Sequence, residues 1–279
     1  TAEKTSENIL NVGINVTALS ADEIRQARIF SATDIAAVVP NFDVKTNIPG
    51  AQQIITVRGV GLDDFSSINN SSVGVYIDDV FLASFAEMDF GMFDLDRVEV
   101  LKGPQGTLYG RNSTAGAINI IAAKPSLDGF SADVTAGYGD FAAFRADAAI
   151  NIPVSDHFAI RLSAQTEQQD TGYWYSPYLK QDLGEKNVFR ERAQALWQAR
   201  EALSFLLKFE DEQNNSQISS GKFFVDNSTN GDPCPDFKHP AHCVDVAGFT
   251  DTNPDPFTVS TAHNAPYNSD SKNVTLHIN

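Results

Sequence analysis

The chain has 279 residues, of which 42% are hydrophobic and 20% charged, so it is long enough for one or two domains with real cores and too apolar to be disordered. Its formal net charge of −16 argues against nucleic acid as a partner, because an acidic surface repels a phosphate backbone. No run of about 18 consecutive apolar residues occurs, so any membrane-spanning part would have to be closed β-structure.

Residues 1–124 are predicted to form a small domain of short strands and two helices. Ser20 with Glu23, and Ser31 with Asp34, have the spacing of a capping box at the start of a helix. The pair Asp78-Asp79 between two apolar runs predicts a tight hairpin turn. The predicted elements are the helices Ala21–Ile29 and Ala32–Val38 and the strands Ile14–Leu19, Phe42–Val44, Ile54–Arg58, Val73–Ile77, Val80–Leu82, Val98–Leu101 and Gly116–Ile121.

From Phe130 onward the hydrophobic pattern has a period of two, which is typical of strands with two unlike faces. Leu207 and Phe209, for example, alternate with Lys208 and Glu210. Each segment has about ten residues, the length that a tilted strand needs to cross the hydrocarbon of a membrane. Strands are predicted in residues 130–138, 144–152, 158–165, 189–199, 203–210 and 274–278.

The connections between these strands alternate in length. Short turns at Pro153–Asp156 and Arg200–Ala202 are interleaved with long loops at Asp170–Asn187 and Gln213–Lys272. Short turns on one side and long loops on the other are typical of outer-membrane barrels. A soluble β-sandwich also shows alternating strands and is the competing interpretation, but the loop lengths favour the barrel.

Three segments carry a resemblance to a known family. They are ITVRGVG (Ile55–Gly61), VGVYIDDVFL (Val73–Leu82) and FDLDRVEVLKGPQGTLYGRNSTAGAINI (Phe93–Ile120). In this order and spacing they resemble the plug of TonB-dependent outer-membrane receptors. The resemblance implies an α+β plug domain in residues 1–124, followed by antiparallel transmembrane β-barrel strands in residues 125–279. Plugged barrels of this kind have about 22 strands, so the barrel is expected to be incomplete in this chain.

The resemblance also implies a function. Such receptors actively import a scarce nutrient, such as a ferric siderophore, cobalamin or a glycan, across the outer membrane of Gram-negative bacteria, and they are not enzymes. The implied partners are the inner-membrane TonB complex, a small-molecule ligand and outer-membrane lipid, with no cofactor. The N-terminal TonB box is not evident, and Thr1 is expected to lie just after it. A passive adhesin or secretion barrel with an internal domain is the alternative, and a secreted carbohydrate-binding sandwich is a third.

Two sets of site residues are predicted. A plug inside a polar barrel needs charged contacts, and these are expected from Arg58, Arg97, Glu99, Lys102 and Arg111, opposite Asp133, Arg145, Asp147 and Glu167. Solvated surface charge is the alternative role for each of them. Ligand contacts are expected in the loops Gly61–Ser72 and Ala83–Phe90, from Phe65, Ser66, Asn69, Asn70 and Phe85. The alternative is that these are loop residues without a binding role.

The two cysteines, Cys234 and Cys243, lie in the least regular part of the chain. A disulfide is expected between them, because compartments outside the inner membrane are oxidising. His239 and His242 lie between them, so a zinc site is the alternative, although no metal is predicted. No nucleotide-binding loop or nucleophile motif occurs, so no catalytic residue is predicted.

Overall fold

The structure is a computed structural model that describes residues 15–46, 53–61, 71–82, 91–218 and 264–279, with the short pieces 227–228, 243–244, 255 and 257–259. The chain forms an N-terminal α+β unit, the predicted plug, and a sheet of long antiparallel strands, which we call the wall. Among the described residues, no helix has the length and apolar character that crossing a membrane requires.

The plug is built on two small sheets. Its elements are β1 (Asn15–Ser20), α1 (Ala21–Gln26), α2 (Ala32–Val38), β2 (Phe42–Thr46), β3 (Gln53–Val57), β4 (Val60–Gly61), β5 (Val73–Ile77), β6 (Val80–Phe81), β7 (Leu95–Lys102), α3 (Gly106–Tyr109) and β8 (Gly116–Ala122). One sheet has the order β1-β7-β8-β5-β6, in which β5 and β8 are parallel and the other pairs antiparallel. The other is the antiparallel sheet β2-β3-β4.

Both predicted capping boxes are present. The backbone N–H of Ser20 donates to the Glu23 carboxylate at 2.8 Å, and that of Ser31 donates to Asp34 at 2.8 Å. Helix α1 nevertheless ends at Gln26, three residues before the predicted end. Arg28 has a left-handed φ of +52°, which turns the chain so that Ile29 is buried in the plug core.

The plug core lies on one face of the five-stranded sheet. Side chains from the helices and from both sheets form a single apolar cluster, which includes Ile35, Val57, Val75, Val98 and Ile118. All five are essentially inaccessible to water. The plug therefore has a core of its own, and the hydrophobic effect stabilises it independently of the wall.

The wall is a six-stranded antiparallel meander. Its strands are β9 (Ser131–Gly139), β10 (Ala143–Ser155), β11 (Phe158–Gln169), β14 (Lys186–Arg200), β15 (Leu203–Gln217) and β18 (Pro266–Ile278), and the short strands β12 (Trp174–Ser176), β13 (Gln181–Leu183), β16 (Asn227–Ser228) and β17 (Cys243–Val244) lie in the connections. The order is β18-β15-β14-β11-β10-β9, so sequence neighbours pair throughout. The strands are longer than predicted, with 15 residues each in β14 and β15.

The loop-length pattern is also present in the structure. Two-residue turns at 156–157 and 201–202 lie at one end of the wall, and the connections 140–142, 170–185 and 218–265 lie at the other. The predicted long loop Asp170–Asn187 contains the hairpin β12–β13, which the sequence pattern does not indicate. At this end Tyr173 packs edge-on between Phe141 and Trp174, with ring centroids 4.7 and 5.9 Å apart.

The burial of the wall is inverted relative to a soluble sheet. Gln165, Arg190 and Lys208 are 1%, 3% and 2% exposed, whereas Leu207 is 49% and Trp197 53% exposed. The polar face of the wall is turned to the plug, and the apolar face is left outside. This arrangement is that of a membrane barrel strand, apolar outside and polar inside. A soluble sandwich would bury Leu207, so the structure contradicts that alternative.

Candidate functional site

The candidate site is the polar surface where the wall meets the plug. The strand register places Arg161, Gln194 and Lys208 side by side on β11, β14 and β15, all on the inner face. The adjacent row on the same face, two residues away on each strand, consists of Ser163, Arg192 and Glu210. Since the side-chain period of a strand is two, both rows point to the same side. We call these six residues the plug-facing strip.

Lys208 joins the strip to the hairpin turn of the plug. Its Nζ lies 2.7 Å from the Asp78 carboxylate and 2.9 Å from that of Glu210. Asp78 and Asp79 have φ values of +47° and +68°, as a two-residue hairpin turn requires. The other Asp78 oxygen accepts the backbone N–H of Ala122 at 2.9 Å. The Asp78 side chain is thus fixed both to the end of β8 and to the wall.

The charge state of Asp78 follows from these contacts. Burial by itself would raise the pKa of this carboxyl. The Lys208 ammonium outweighs burial, together with the Ala122 N–H and the more distant Arg192 charge, so the pKa of Asp78 lies below its usual value. Asp78 is therefore a carboxylate at neutral pH, and the contact with Lys208 is a buried ion pair.

Arg161 forms the second ion pair between wall and plug. Its guanidinium binds the Asp94 carboxylate through two nitrogens, with Nε 2.9 Å from Oδ2 and Nη2 bonded to Oδ1. Asp94 directly precedes β7 and has a φ of +49°. Both side chains are nearly buried, at 12% and 6% exposure. A two-point contact of this kind fixes the orientation of the carboxylate as well as its distance.

Arg192 and Gln194 bind the plug backbone. Arg192 Nη1 donates to the carbonyls of Phe93 at 3.3 Å and Asp94 at 3.2 Å, and its guanidinium lies 4.6 Å from the centroid of the Phe93 ring. Gln194 Nε2 donates to the carbonyl of Ala123 at 2.7 Å. The beginning of β7 and the end of β8 are thus held at the same rows of the wall.

Further along the strands, a second group of charges lies on the inner face of the wall. Its members pair mostly with one another, and they are Arg145, Asp147, Glu167, Lys186, Arg190 and Glu212. The Arg145 guanidinium also lies 4.2 Å from the ring centroid of Phe30 in the plug. A Cβ at Gly91 would stand 2.5 Å from Arg190 Cδ, so a larger residue here would force the Arg190 side chain to shift.

The five plug residues predicted to contact the barrel all lie in the described part of the plug. Arg97 pairs with Asp96 and Glu99, both in the plug, and these ion pairs do not reach the wall. Lys102 is buried, and burial together with the neighbouring Arg58 charge lowers its pKa. Arg111 is exposed in the turn after α3. A role for Arg58, Arg97, Glu99, Lys102 and Arg111 against parts of a barrel beyond these six strands stays a prediction.

On the wall side, three of the four residues predicted as partners of the plug form ion pairs with one another. Arg145, Asp147 and Glu167 face inward and bind one another, whereas Asp133 is exposed on the edge strand β9. The ion pairs to the plug come instead from Arg161 and Lys208, whose partners are Asp94 and Asp78. The signal for Asp78 was present in the sequence, since it lies in a predicted turn. Its partner is 130 residues away, and no local pattern indicates it.

The remaining predicted site residues cannot be placed. Phe65, Ser66, Asn69, Asn70 and Phe85 lie outside the described residues, as does Cys234. For Cys243 the structure describes the backbone only. The ligand contacts and the disulfide therefore stay predictions.

The fold and the interface define a class of protein: an α+β plug seated against the polar inner face of a membrane barrel wall. Residues 8–117 match the family model described as the TonB-dependent receptor plug domain. The chain is 32% identical over 127 residues to the pesticin receptor of Yersinia enterocolitica, covering 45% of this chain and 18% of that protein. It is 30% identical over 145 residues to the vitamin B12 transporter BtuB of Vibrio vulnificus, covering 49% and 22%.

Solved structures show the same fold. The ferric yersiniabactin uptake receptor FyuA from Yersinia pestis superposes with a TM-score of 0.67 at 21% identity, over 83% of this chain and 36% of that one. The ferripyoverdine receptor of the outer membrane of Pseudomonas aeruginosa superposes with a TM-score of 0.69 at 17% identity, over 85% and 30%. The chain spans about a fifth of the length of the curated relatives it matches.

Residues 8–117 are a TonB-dependent receptor plug domain, and the relatives and solved structures that the chain resembles are TonB-dependent receptors of the Gram-negative outer membrane. The described residues contain the plug and six strands of a barrel wall, and these strands do not close the barrel. The predicted family, fold class and location are therefore confirmed.

Proposed function

We propose that this protein takes part in TonB-dependent active uptake of a scarce nutrient across the outer membrane. The nutrient class we favour is a ferric siderophore, with cobalamin or a glycan as alternatives. Support comes from the matched plug family and from relatives named as a catecholate siderophore receptor and a vitamin B12 transporter. Transport through a plugged barrel needs no covalent chemistry, so we propose no enzymatic activity.

The observation that carries this proposal is the contrast between the core of the plug and its contact with the wall. The core residues are buried among themselves, whereas the described contacts to the wall include ion pairs and hydrogen bonds made by Arg161, Arg192, Gln194 and Lys208. Water can replace polar contacts at modest free-energy cost, while it cannot replace an apolar core. The plug can therefore move relative to the wall without losing its core, as a gate must.

The proposed parts of the receptor follow from this scheme. Residues 1–124 form the plug and residues 125–279 the first barrel strands, with the outward side chains of the wall in contact with lipid. The proposed ligand contacts are Phe65, Ser66, Asn69, Asn70 and Phe85. The proposed partners are the inner-membrane TonB complex and a small-molecule ligand, without nucleic acid.

The proposal is tested by deleting the gene for the full-length receptor and measuring uptake of iron-55-labelled siderophores and labelled cobalamin in iron-limited cells. We expect the deletion to abolish uptake of one cargo and the restored gene to recover it. Uptake should also cease when the proton gradient is collapsed, since transport is active. Unchanged uptake of every cargo, or uptake that persists without the gradient, would contradict the proposal, and the latter result would favour a passive barrel.

A further inference from the structure

The plug-facing strip carries more positive than negative charge. Arg161, Arg192 and Lys208 are cations, Glu210 is its one carboxylate, and Gln194 and Ser163 are neutral. The wall side of the strip therefore has an excess of two positive charges. Asp133 lies on the same face of the wall, on β9, which is two strands away from β11. When its charge is included, the wall still has an excess of one positive charge.

The plug supplies the missing negative charge. Asp94 binds Arg161, and Asp78 binds Lys208. Arg192 forms an ion pair with Glu210 on the wall and donates hydrogen bonds to the Phe93 and Asp94 carbonyls on the plug. With the plug in place the strip and its two plug carboxylates are neutral. When the plug moves away, Asp78 and Asp94 leave with it, and the cations stay because they are fixed in barrel strands.

The second group of wall charges behaves differently. It contains the cations Arg145, Lys186 and Arg190 and the carboxylates Asp147, Glu167 and Glu212, so it is neutral without the plug. Its described contacts to the plug include the Phe30 ring and the backbone at Gly91, neither of which carries charge. Displacement of the plug therefore changes the charge of the strip and leaves that of the second group unchanged.

We propose that the plug-facing strip is a transit site for an anionic solute, which the plug keeps neutralised and uncovers when it moves. The cargo class is a negatively charged chelate or another compact anion, rather than a neutral glycan. A cationic strip in a narrow space concentrates anions and repels cations. Gln194, whose Oε1 is buried without a hydrogen-bond partner among the described residues, adds a polar group between Arg161 and Lys208. This inference rests on the proposed function, because it requires a plug that moves.

The test uses the full-length receptor in planar lipid bilayers, with urea at a concentration that displaces the plug but leaves the barrel folded. The reversal potential in a potassium chloride gradient gives the chloride-to-potassium permeability ratio of the open barrel. We expect Lys208→Gln to lower this ratio by roughly twofold at low salt, because one unscreened charge near the path is removed. The reversal potential does not depend on how many barrels are open, so a loosened plug does not affect it.

Asp78→Asn is the matched control. It breaks the same ion pair as Lys208→Gln but removes the charge from the plug, which has left the path in the open state. It should raise the number of openings and leave the permeability ratio unchanged. Lys272→Gln, on an exposed side chain of β18 paired to Asp270, should change neither quantity.

The outcomes separate the inference from the proposed function. An equal ratio in the wild-type and Lys208→Gln receptors, or an equal change in Asp78→Asn, would overturn the transit site even if uptake in cells is energy-dependent. A lowered ratio in Lys208→Gln alone would support it even if the cargo tested in cells is the wrong one. Should Lys208→Gln fail to assemble, Arg161→Gln with Asp94→Asn as its control gives the same comparison.

Discussion

The plug and the wall of this protein bury opposite kinds of residue. In the plug, Val98 and Ile118 are buried and the charges of Arg97 and Asp96 lie near the surface. In the wall, Lys208 and Arg190 are buried and Leu207 is exposed. The difference shows that the burial of a side chain is set by what surrounds the sheet. Water surrounds a soluble domain, and lipid surrounds a barrel.

The largest effect is expected where the two regions meet. Arg161→Met removes one partner of a nearly buried ion pair and leaves Asp94 uncompensated, which should weaken the retention of the plug by about 3–5 kcal/mol. The weaker retention is measured as a lower urea concentration at which the plug is released. Protease sensitivity of the plug in the full-length receptor reports the release. The double variant Arg161→Met with Asp94→Leu removes both charges and should recover part of the loss. An identical loss in the single and double variants would show that the ion pair does not hold the plug.

A somewhat smaller effect is expected inside the plug. Ile118→Ala creates a cavity in a core that is closed to water, and it should destabilise the plug by roughly 2–5 kcal/mol. The barrel should assemble normally, because the side chain contributes to the plug core alone. Urea unfolding of the plug and the heat-dependent gel mobility of the barrel report on the two regions separately. Leu108→Ala, at a site that is 41% exposed, is the control and should change neither.

The wall is tested at two neighbouring positions. Leu207→Arg places a charge on the lipid-facing side and should cost about 2–4 kcal/mol of barrel stability if the residue lies near the middle of the membrane. Lys208→Ala should leave insertion into the membrane unchanged but weaken plug retention, because Asp78 loses its cation. Folding into lipid vesicles across a urea series measures the first effect, and protease sensitivity of the plug measures the second. Equal losses of insertion at both positions would contradict the assigned faces.

The smallest effect is a dependence on pH. The pKa of Asp78 is held below its usual value of 3.8, mainly by Lys208 acting against burial. A carboxyl with a lowered pKa contributes stability that is fully present above the usual value and is lost as the pH falls through the lower, folded value. Near neutral pH the full contribution of Asp78 to plug retention should be present and should not vary with pH. Retention should weaken in strong acid, where the carboxylate becomes protonated. Comparing the wild-type receptor with Asp78→Asn isolates this part, since the variant should lack it.

Local chemistry made much of the fold predictable. The capping residues Ser20 and Ser31 and the turn Asp78-Asp79 depend on neighbours within a few residues, so their structure can be derived from the sequence. The alternation in β15 gave the two faces of the wall correctly, because a strand places successive residues on opposite sides. The predicted end of α1 at Ile29 is three residues too late, because the helix ends at Gln26. The burial of Ile29 in the plug core, and not helix propensity, determines where the helix ends.

The contacts between plug and wall were less predictable, for a physical reason. The sequence offers several carboxylates as possible partners for Arg161 and Lys208. Which of them pairs with each cation depends on how the plug is oriented inside the barrel. That orientation is set by many contacts distant in sequence, such as Gln194 with the carbonyl of Ala123. Arg97 illustrates the converse, because its nearest carboxylates lie on its own strand and satisfy it there. Composition can predict that a polar interface exists, but not which residues form it.

The most direct test of the two-faced wall is a labelling profile along β15. Single cysteines are placed at positions 204 to 210 of the full-length receptor, in a background where Cys234 and Cys243 are replaced by serine. Each is treated with a lipid-soluble and with a charged, water-soluble thiol reagent. We predict that Phe205→Cys, Leu207→Cys and Phe209→Cys react with the lipid-soluble reagent only. We predict that Lys208→Cys reacts with the charged reagent, and only after urea has displaced the plug. A profile without this alternation, or a Lys208→Cys that is labelled from the lipid, would contradict a wall whose polar face is covered by the plug.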